Sequence, residues 1–462
     1  VSAISRPTDK PSIGGAALTL VDPAPSTAYK PDDDAIALEL LADDEIKGKL
    51  SYFHGSWKMY ETGVWWNRDV YEVRRYVRQQ LRGWRQRGVA VSQNRINALT
   101  NMLEDDLYIP DRKIIDLQDQ QRKYVNLRNG MFNLETMRFE RDHSPELLFT
   151  SQLDFDYDEK ALCPTFRKYL NSSLVYPDSE RPDPSLIHLI MEALAYSMTA
   201  RTDMKASFWL VGKKDSGKST FVALLKLLMG SLHTTIDLTQ LGTNRFLLAD
   251  VVGKRALSFT ESDSNSVLPD ALYKTLVGGS DEIYADVKNR DPIRFRPECK
   301  VWWAMNDGQM PRVNDRSGAT MRRIIIIPFN RTIPEADRLH DLENQLMKER
   351  PGIFNQMVVY LNRLQKAGNF EPCKQSEDRR QEYILENDTE ATFIQDRAET
   401  HENYKVRGGV LYMAYTEWCT ANGFKPKNSN QIAKEWRRLG FQQKTSDGSW
   451  WHGLQIRDNK SI

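Results

Sequence analysis

Cysteine is scarce in this chain: 4 in 462 residues, as Cys163, Cys299, Cys373 and Cys419. None stands in a CxxC pair and none has a histidine at metal-ligand spacing. That excludes a disulfide-stapled scaffold and a zinc finger or ribbon, and the four read as reduced, partly buried thiols. Long apolar runs are missing as well. Nothing approaches the roughly 20 residues that span a bilayer, and the N-terminus lacks the charged-then-apolar pattern of a secretory signal, so a cytoplasmic protein without a membrane partner is expected. There is no excess of one charge either, with 64 Lys+Arg against 63 Asp+Glu. Any nucleic-acid contact has to come from local basic patches. What is there is ordinary globular composition, 40% hydrophobic and 27% charged, in a chain long enough for two or three cores.

Residues 1–34 are rich in Pro, Ser, Gly and Ala, end in an acidic cluster, and read as a linker or tail. Residues 35–181 are expected to form an α+β domain. In it "SWKMYETGVWWNR" reads as a hairpin turning at Thr62-Gly63, and "VYEVRRYVRQQLRGWRQRG" reads as a helix. Arg74, Arg78, Arg82 and Arg85 share one face of that helix, either as a phosphate-contacting stripe or as a solvated surface. Residues 182–335 alternate helical patterns with the apolar runs "SFWLV", "RALSF", "KVWWAM" and "RRIIIIPF", as expected of strands covered on both faces in an α/β sheet. Residues 336–388 read as a helical connector. Residues 389–462 read as a helix carrying Leu411, Tyr415 and Trp418 on one face, a second helix capped by Asn428 or Ser429, and a hairpin turning at Asp447-Gly448. That order is the order of a winged helix, whose second helix would offer Lys434, Arg437 and Arg438 to a groove.

"FWLVGKKDSGKSTF" holds the most specific signal. Gly212 to Ser219 match GxxxxGK[ST], with an apolar strand before and an amphipathic helix after, the context in which such a loop binds phosphate. The loop comprises Gly212, Lys213, Lys214, Asp215, Ser216, Gly217, Lys218 and Ser219, followed by Thr220. Its glycines let backbone N–H groups wrap a phosphate, and the helix N-terminus adds positive potential. Lys218 would bridge the terminal phosphates of ATP and the Ser219 hydroxyl would ligate Mg²⁺. Hydrolysis needs an acid at a neighbouring strand end, which Glu261 and Asp263 supply after "RALSF", Glu261 also on the metal side. Asn306, closing "KVWWAMN", can orient the attacking water, and Arg322 or Arg323 can serve as an arginine finger.

The ordered succession of the phosphate loop, "FTESD", "LVGGSDEIYADVKNRDPIRFRP", "KVWWAMNDGQMP" and "MRRIIIIPF" resembles the core of superfamily 3 helicases, as found in primase-helicases of phages, plasmids and poxviruses. The upstream "YVNLRNGMFNLETM" and "LDFDYDEKALCPTFRKYL" are similar to the accessory domain of that group, and the resemblance runs from Trp57 to Ile456. It implies an AAA+-like α/β P-loop ATPase core between an N-terminal α+β accessory domain and a C-terminal winged helix. A homo-oligomer is implied, a hexameric ring with ATP between subunits, moving 3′ to 5′ on single-stranded or forked DNA during replication of a mobile element in a bacterial host. Lys218 and Ser219 match the family's phosphate-loop pair, Glu261 and Asp263 its spaced acids, Asn306 its sensor, and Arg323, with Arg322 as second choice, its finger. The family's channel hairpin would place Lys288, Asn289 and Arg290 at a DNA-gripping tip, where a backbone-tracking loop or a plain solvated turn both fit the residues. Many relatives carry a primase domain upstream. This sequence leaves no room for one before the accessory domain, so a primase is expected only as a partner or in a longer parent. A DNA-binding loader that uses ATP as an assembly switch is the alternative; a small-molecule kinase would need an acceptor pocket for which no motif is present.

Overall fold

The computed structural model describes residues 31–457, apart from 238–239, 241–243, 261–266, 279–280, 288–289, 314, 316–317, 339–340, 425 and 446–447. The stretch read as a tail therefore lies, up to residue 30, outside the described residues. The acids that end it belong to a helix: the Asp32 side chain accepts from the Ala35 amide, and Asp33 and Asp34 form the first turn of Asp33–Ala42, where carboxylates complement the helix dipole.

Strands β1 (Leu50–Phe53), β2 (Ser56–Glu61) and β3 (Val64–Arg68) form an antiparallel meander. Its second turn is the two-residue Thr62-Gly63, both at positive φ (48° and 86°), as a tight hairpin demands. The helix Val70–Gly83 buries Val73, Tyr76, Val77 and Leu81, while Arg78, Arg82 and Arg85 stay exposed and Arg74 is half-buried. A second meander of β4 (Tyr124–Leu127), β5 (Gly130–Asn133) and β6 (Arg138–Glu140) follows.

The central sheet is parallel and five-stranded. It comprises β7 (Ser207–Gly212), β8 (His233–Ile236), β9 (Ala256–Phe259) and, after a hairpin of β10 (Ile283–Val287) and β11 (Arg290–Phe295), β12 (Lys300–Asn306) and β13 (Ile324–Phe329). Their order is β13-β7-β12-β9-β8. Alternate residues feed two different cores. Phe208, Leu210, Trp302, Ile327 and Phe329 pack on the side of the helices Pro184–Ser197 and Arg350–Ala367, whereas Trp209, Val211, Val301, Trp303, Ile324 and Ile326 pack on the other side, with Tyr273 and Tyr383. Burial on both faces is why these strands read as unbroken apolar runs. The helices Arg350–Ala367 and Lys374–Asn387, read from sequence as a connector, are structural walls of these cores.

Buried Arg255 ties this sheet to the second meander by donating to the carbonyls of Met198 (2.6 Å) and Tyr124 (3.2 Å). The C-terminal module adds the helix Thr389–Arg397, β14 (Ala398–Arg407), the helices Gly408–Ala421 and Ser429–Arg438, and β15 (Gln442–Lys444) and β16 (Trp450–Ile456), with sheet order β14-β16-β15. Asn428 caps its last helix in a reciprocal pair with Gln431. The expected hairpin turn includes Asp447, outside the described residues. This module docks where the loop leaving β12 lays the Arg312 guanidinium 4.2 Å from the centre of the Phe424 ring, which in turn stacks on Trp418 at 5.2 Å. All four cysteines are buried thiols, and among the described residues no helix is long and apolar enough to cross a membrane.

Candidate nucleotide site

Ligand sites on parallel sheets form beyond the carboxyl ends of the strands, because there the loops diverge and the following helices point their N-termini outward. β7 ends at Gly212 and the helix Lys218–Met229 begins six residues later. The loop between them must turn sharply, and two positions show how. Gly217 sits at φ 99° as the N-cap of the helix, and a Cβ there would lie 2.9 Å from Ser173 Oγ. At Gly212 a Cβ would lie 2.2 Å from the Phe329 carbonyl oxygen, so β13 can run alongside only a glycine.

Lys218 is buried, 7% exposed, and its ammonium is folded into the loop. It donates to the carbonyls of Gly212 (2.8 Å) and Lys213 (2.5 Å) and to Ser216 Oγ (3.1 Å). A lysine cannot be held dry without acceptors, and here the loop that would receive phosphate supplies them. Three elements brace the loop from behind. Tyr169 donates its hydroxyl to the Gly217 carbonyl at 2.8 Å, and burial pushes its phenol pKa up, keeping it a donor. The Ile333 amide donates to the Asp215 carbonyl at 2.9 Å, and Arg338 pairs with the Asp215 carboxylate at 3.3 Å. Sequence reasoning missed all three. Tyr169 lies 48 residues before its partner in "CPTFRKYL", with no local signal to mark it.

The loop opens on a cleft of about 560 Å³ that Lys214, Asp215, Ser216, Gly217, Lys218, Ser219 and Thr220 line on one side and Phe259, Met305, Asn306 and Gln309 on the other. β12 pairs with β7 so that Asn306 stands directly across from Gly212. The sheet thus brings together the loop and Asn306, expected from sequence as partners. β9 delivers Phe259 to the same cleft; Glu261 and Asp263, just beyond, lie outside the described residues, as do Lys288 and Asn289. Arg290 begins β11, across from Val287 on β10, so it is a strand residue at the base of the turn.

Arg322 and Arg323 lie at the opposite end of the sheet. They form a 3-10 turn before β13, where Ile324 pairs with Ser207 while Phe329, at the far end, pairs with Gly212. Five strand steps of about 3.3 Å separate the two ends, roughly 16 Å. Arg322 is exposed, whereas Arg323 is half-buried and donates to the Ala319 carbonyl at 2.8 Å. Neither arginine can reach phosphates held by its own chain's loop.

Comparison with known proteins adds a family to this geometry. Residues 42–174 match the family described as D5 N terminal like. Residues 210–323 match a family of unknown function, DUF5906. The chain is 26% identical over 330 residues to the putative helicase L207/L206 of Acanthamoeba polyphaga mimivirus, covering 66% of this chain and 34% of the relative. It is 26% identical over 262 residues to the putative helicase 184R of invertebrate iridescent virus 6, covering 54% and 26%. These matches support a likeness to the superfamily 3 type of phage and viral primase-helicases. The chain spans about a third or less of the length of these two putative helicases. Among solved structures, the apo C-terminal region of NrS-1 aligns at TM-score 0.40 and 14% identity, over 66% of this chain and 80% of that one.

Proposed function

We propose that this chain is the ATP-driven motor of a DNA helicase, working as a closed ring of identical subunits, six by family resemblance, that moves 3′ to 5′ along single-stranded DNA. The observation that carries the reading is the split of the site across the sheet. Lys218 and Asn306 share one edge and the two arginines occupy the other, so a complete site needs a second copy of the chain. The putative helicases among the relatives favour the same class of function.

Mg²⁺ and ATP fit the residues present. Gly217 holds the left-handed backbone that the phosphate loop turns on, the Lys218 ammonium stands ready to exchange loop carbonyls for phosphate oxygens, and the cleft has room for a nucleotide. The Lys213–Thr220 loop would hold the phosphates, Ser219 and Glu261 the metal, and the metal would supply charge neutralisation during phosphoryl transfer. Glu261 and Asp263 would polarise the attacking water and Asn306 would orient it. Arg322 of a neighbouring copy would stabilise the transferred group. Movement of Lys288, Asn289 and Arg290 along a DNA backbone would follow closure and release of the subunit interface. The order of residues 389–456, a helix, a strand, two helices and then two antiparallel strands, supports a winged helix, and the meanders and helices of residues 33–181 support an accessory domain.

The test is steady-state ATP hydrolysis with and without single-stranded DNA. Wild type should be stimulated by DNA, and Lys218→Ala should lose at least about 100-fold in turnover, the scale expected for removing one charged donor aimed at the transferred group. Firm DNA binding with negligible turnover in the wild type would replace the motor by an ATP-gated loader.

A further inference from the structure

The outer face of the C-terminal sheet carries cations that the nucleotide site does not use. Across β14, β16 and β15, Lys405 pairs with His452 and His452 with Gln442; Arg407 pairs with Trp450 and Trp450 with Lys444. Val406 and Trp451, one residue out of phase, are buried in the module's core. Strand alternation therefore sets Lys405, Arg407, Lys444 and Trp450 on one outward face. The three cations are exposed. Among the described residues, the ion pairs of this module run through Lys427 and Arg438 and involve none of the three. Lys405 and Arg407 instead rest on the Trp450 indole, 5.2 and 5.3 Å from its ring centre, which holds both charges up from the sheet.

The helix that sequence offers to a groove is differently placed. Arg438 is held by Asp388 (2.7 Å) and Glu435 (2.8 Å), and Arg437 by Gln443 (2.5 Å). Both arginines are thus engaged within the module, while the sheet presents three charges at separations of roughly 7 Å along a strand and 10 Å across it.

We propose that this sheet face, rather than the Ser429–Arg438 helix, grips the phosphate backbone of duplex DNA. The proposal rests on the DNA-motor reading above. Backbone contact needs cations and no base recognition. Proteins that hold single strands without sequence preference rely on open aromatic faces, and the indole on this face is engaged by its own cations. A duplex is therefore the occupant.

The experiment uses the full chain and a fluorescent 20-base-pair duplex, with affinity followed by anisotropy between 50 and 200 mM salt. The combined variant Lys405→Ala, Arg407→Ala, Lys444→Ala should flatten the slope of log affinity against log salt by about 2–3, near 0.9 for each phosphate that is no longer neutralised. The charge-preserving variant Lys405→Arg, Arg407→Lys, Lys444→Arg should keep the wild-type slope, and Lys434→Ala should keep it too. An unchanged slope in the alanine variant, with its urea midpoint intact, overturns the proposal. So does loss in Lys434→Ala alone, or a wild type whose contacts through these residues are made to a single strand and not a duplex. Stimulation of wild-type ATPase by single-stranded DNA is measured in parallel. Its absence sinks the motor reading, whereas normal stimulation with an unchanged slope sinks only the sheet-face assignment.

Discussion

Arg322→Ala is expected to lower ATP turnover by about 1,000-fold or more, the range found for removing an arginine finger, equivalent to about 4 kcal/mol in the barrier. Nucleotide affinity should change far less, since Arg322 lies across the sheet from the loop that would bind phosphate. Arg323→Ala should behave differently. Its guanidinium is half-buried and donates to the Ala319 carbonyl, and its charge acts on the buried Tyr273 hydroxyl, which donates to Ser207 Oγ and accepts from the Trp209 indole; burial raises the Tyr273 pKa, opposed by those two hydrogen bonds and by Arg323. That substitution should cost about 1–3 kcal/mol of stability, read as a lower urea midpoint. Mixing separates a role in trans from one in cis. Lys218→Ala subunits keep Arg322, and Arg322→Ala subunits keep Lys218, so two inactive preparations should regain hydrolysis when combined. If mixtures stay inactive although they assemble, or if Arg323→Ala takes the larger loss in turnover, Arg322 is not the finger.

The sequence carries the central sheet plainly because β7, β9, β12 and β13 are buried on both faces, which forces unbroken apolar runs such as "SFWLV" and "RIIIIPF". β8, "HTTI", escapes the same reading because it is a short edge strand with one buried residue, and β14, "AETHENYKVR", escapes because only Ala398 and Val406 turn inward. The phosphate loop and Asn306 were legible as local chemistry. Their juxtaposition depends on strand order, which periodicity does not contain. The braces on the loop were hidden for the same reason: Tyr169, Ile333 and Arg338 come to it from different parts of the chain. The two arginines illustrate a subtler limit. Adjacent residues of one type look interchangeable in a sequence, and only the turn at Met321–Arg323 separates the exposed side chain from the half-buried one.

Gly212→Ala is expected to cost about 3 kcal/mol or more, the upper part of the range for overfilling a packed interior, and to leave little folded protein at 37 °C. The reason is what the added methyl group meets: the Phe329 carbonyl oxygen at 2.2 Å and its carbon at 2.9 Å, both backbone atoms of a paired strand. β7 lies between β12 and β13, so it cannot retreat from one without breaking its pairing with the other. Gly217→Ala meets instead the Ser173 hydroxyl at 2.9 Å and the Tyr169 ring at 3.2 Å, side chains that can yield, and it adds a left-handed backbone at φ 99° costing about 1–2 kcal/mol. The two substitutions should therefore separate fold from function. Gly217→Ala should remain folded, with a modestly lower urea midpoint and weakened binding of a fluorescent ATP analogue. Adding Ser173→Ala should return part of that stability and little of the binding, because the steric term is relieved while the strained turn of the phosphate cradle persists. Equal destabilisation by the two glycine substitutions would mean that the Gly212–Phe329 contact relaxes as readily as a side chain, and the view of β13 as a rigid wall behind the loop would be wrong.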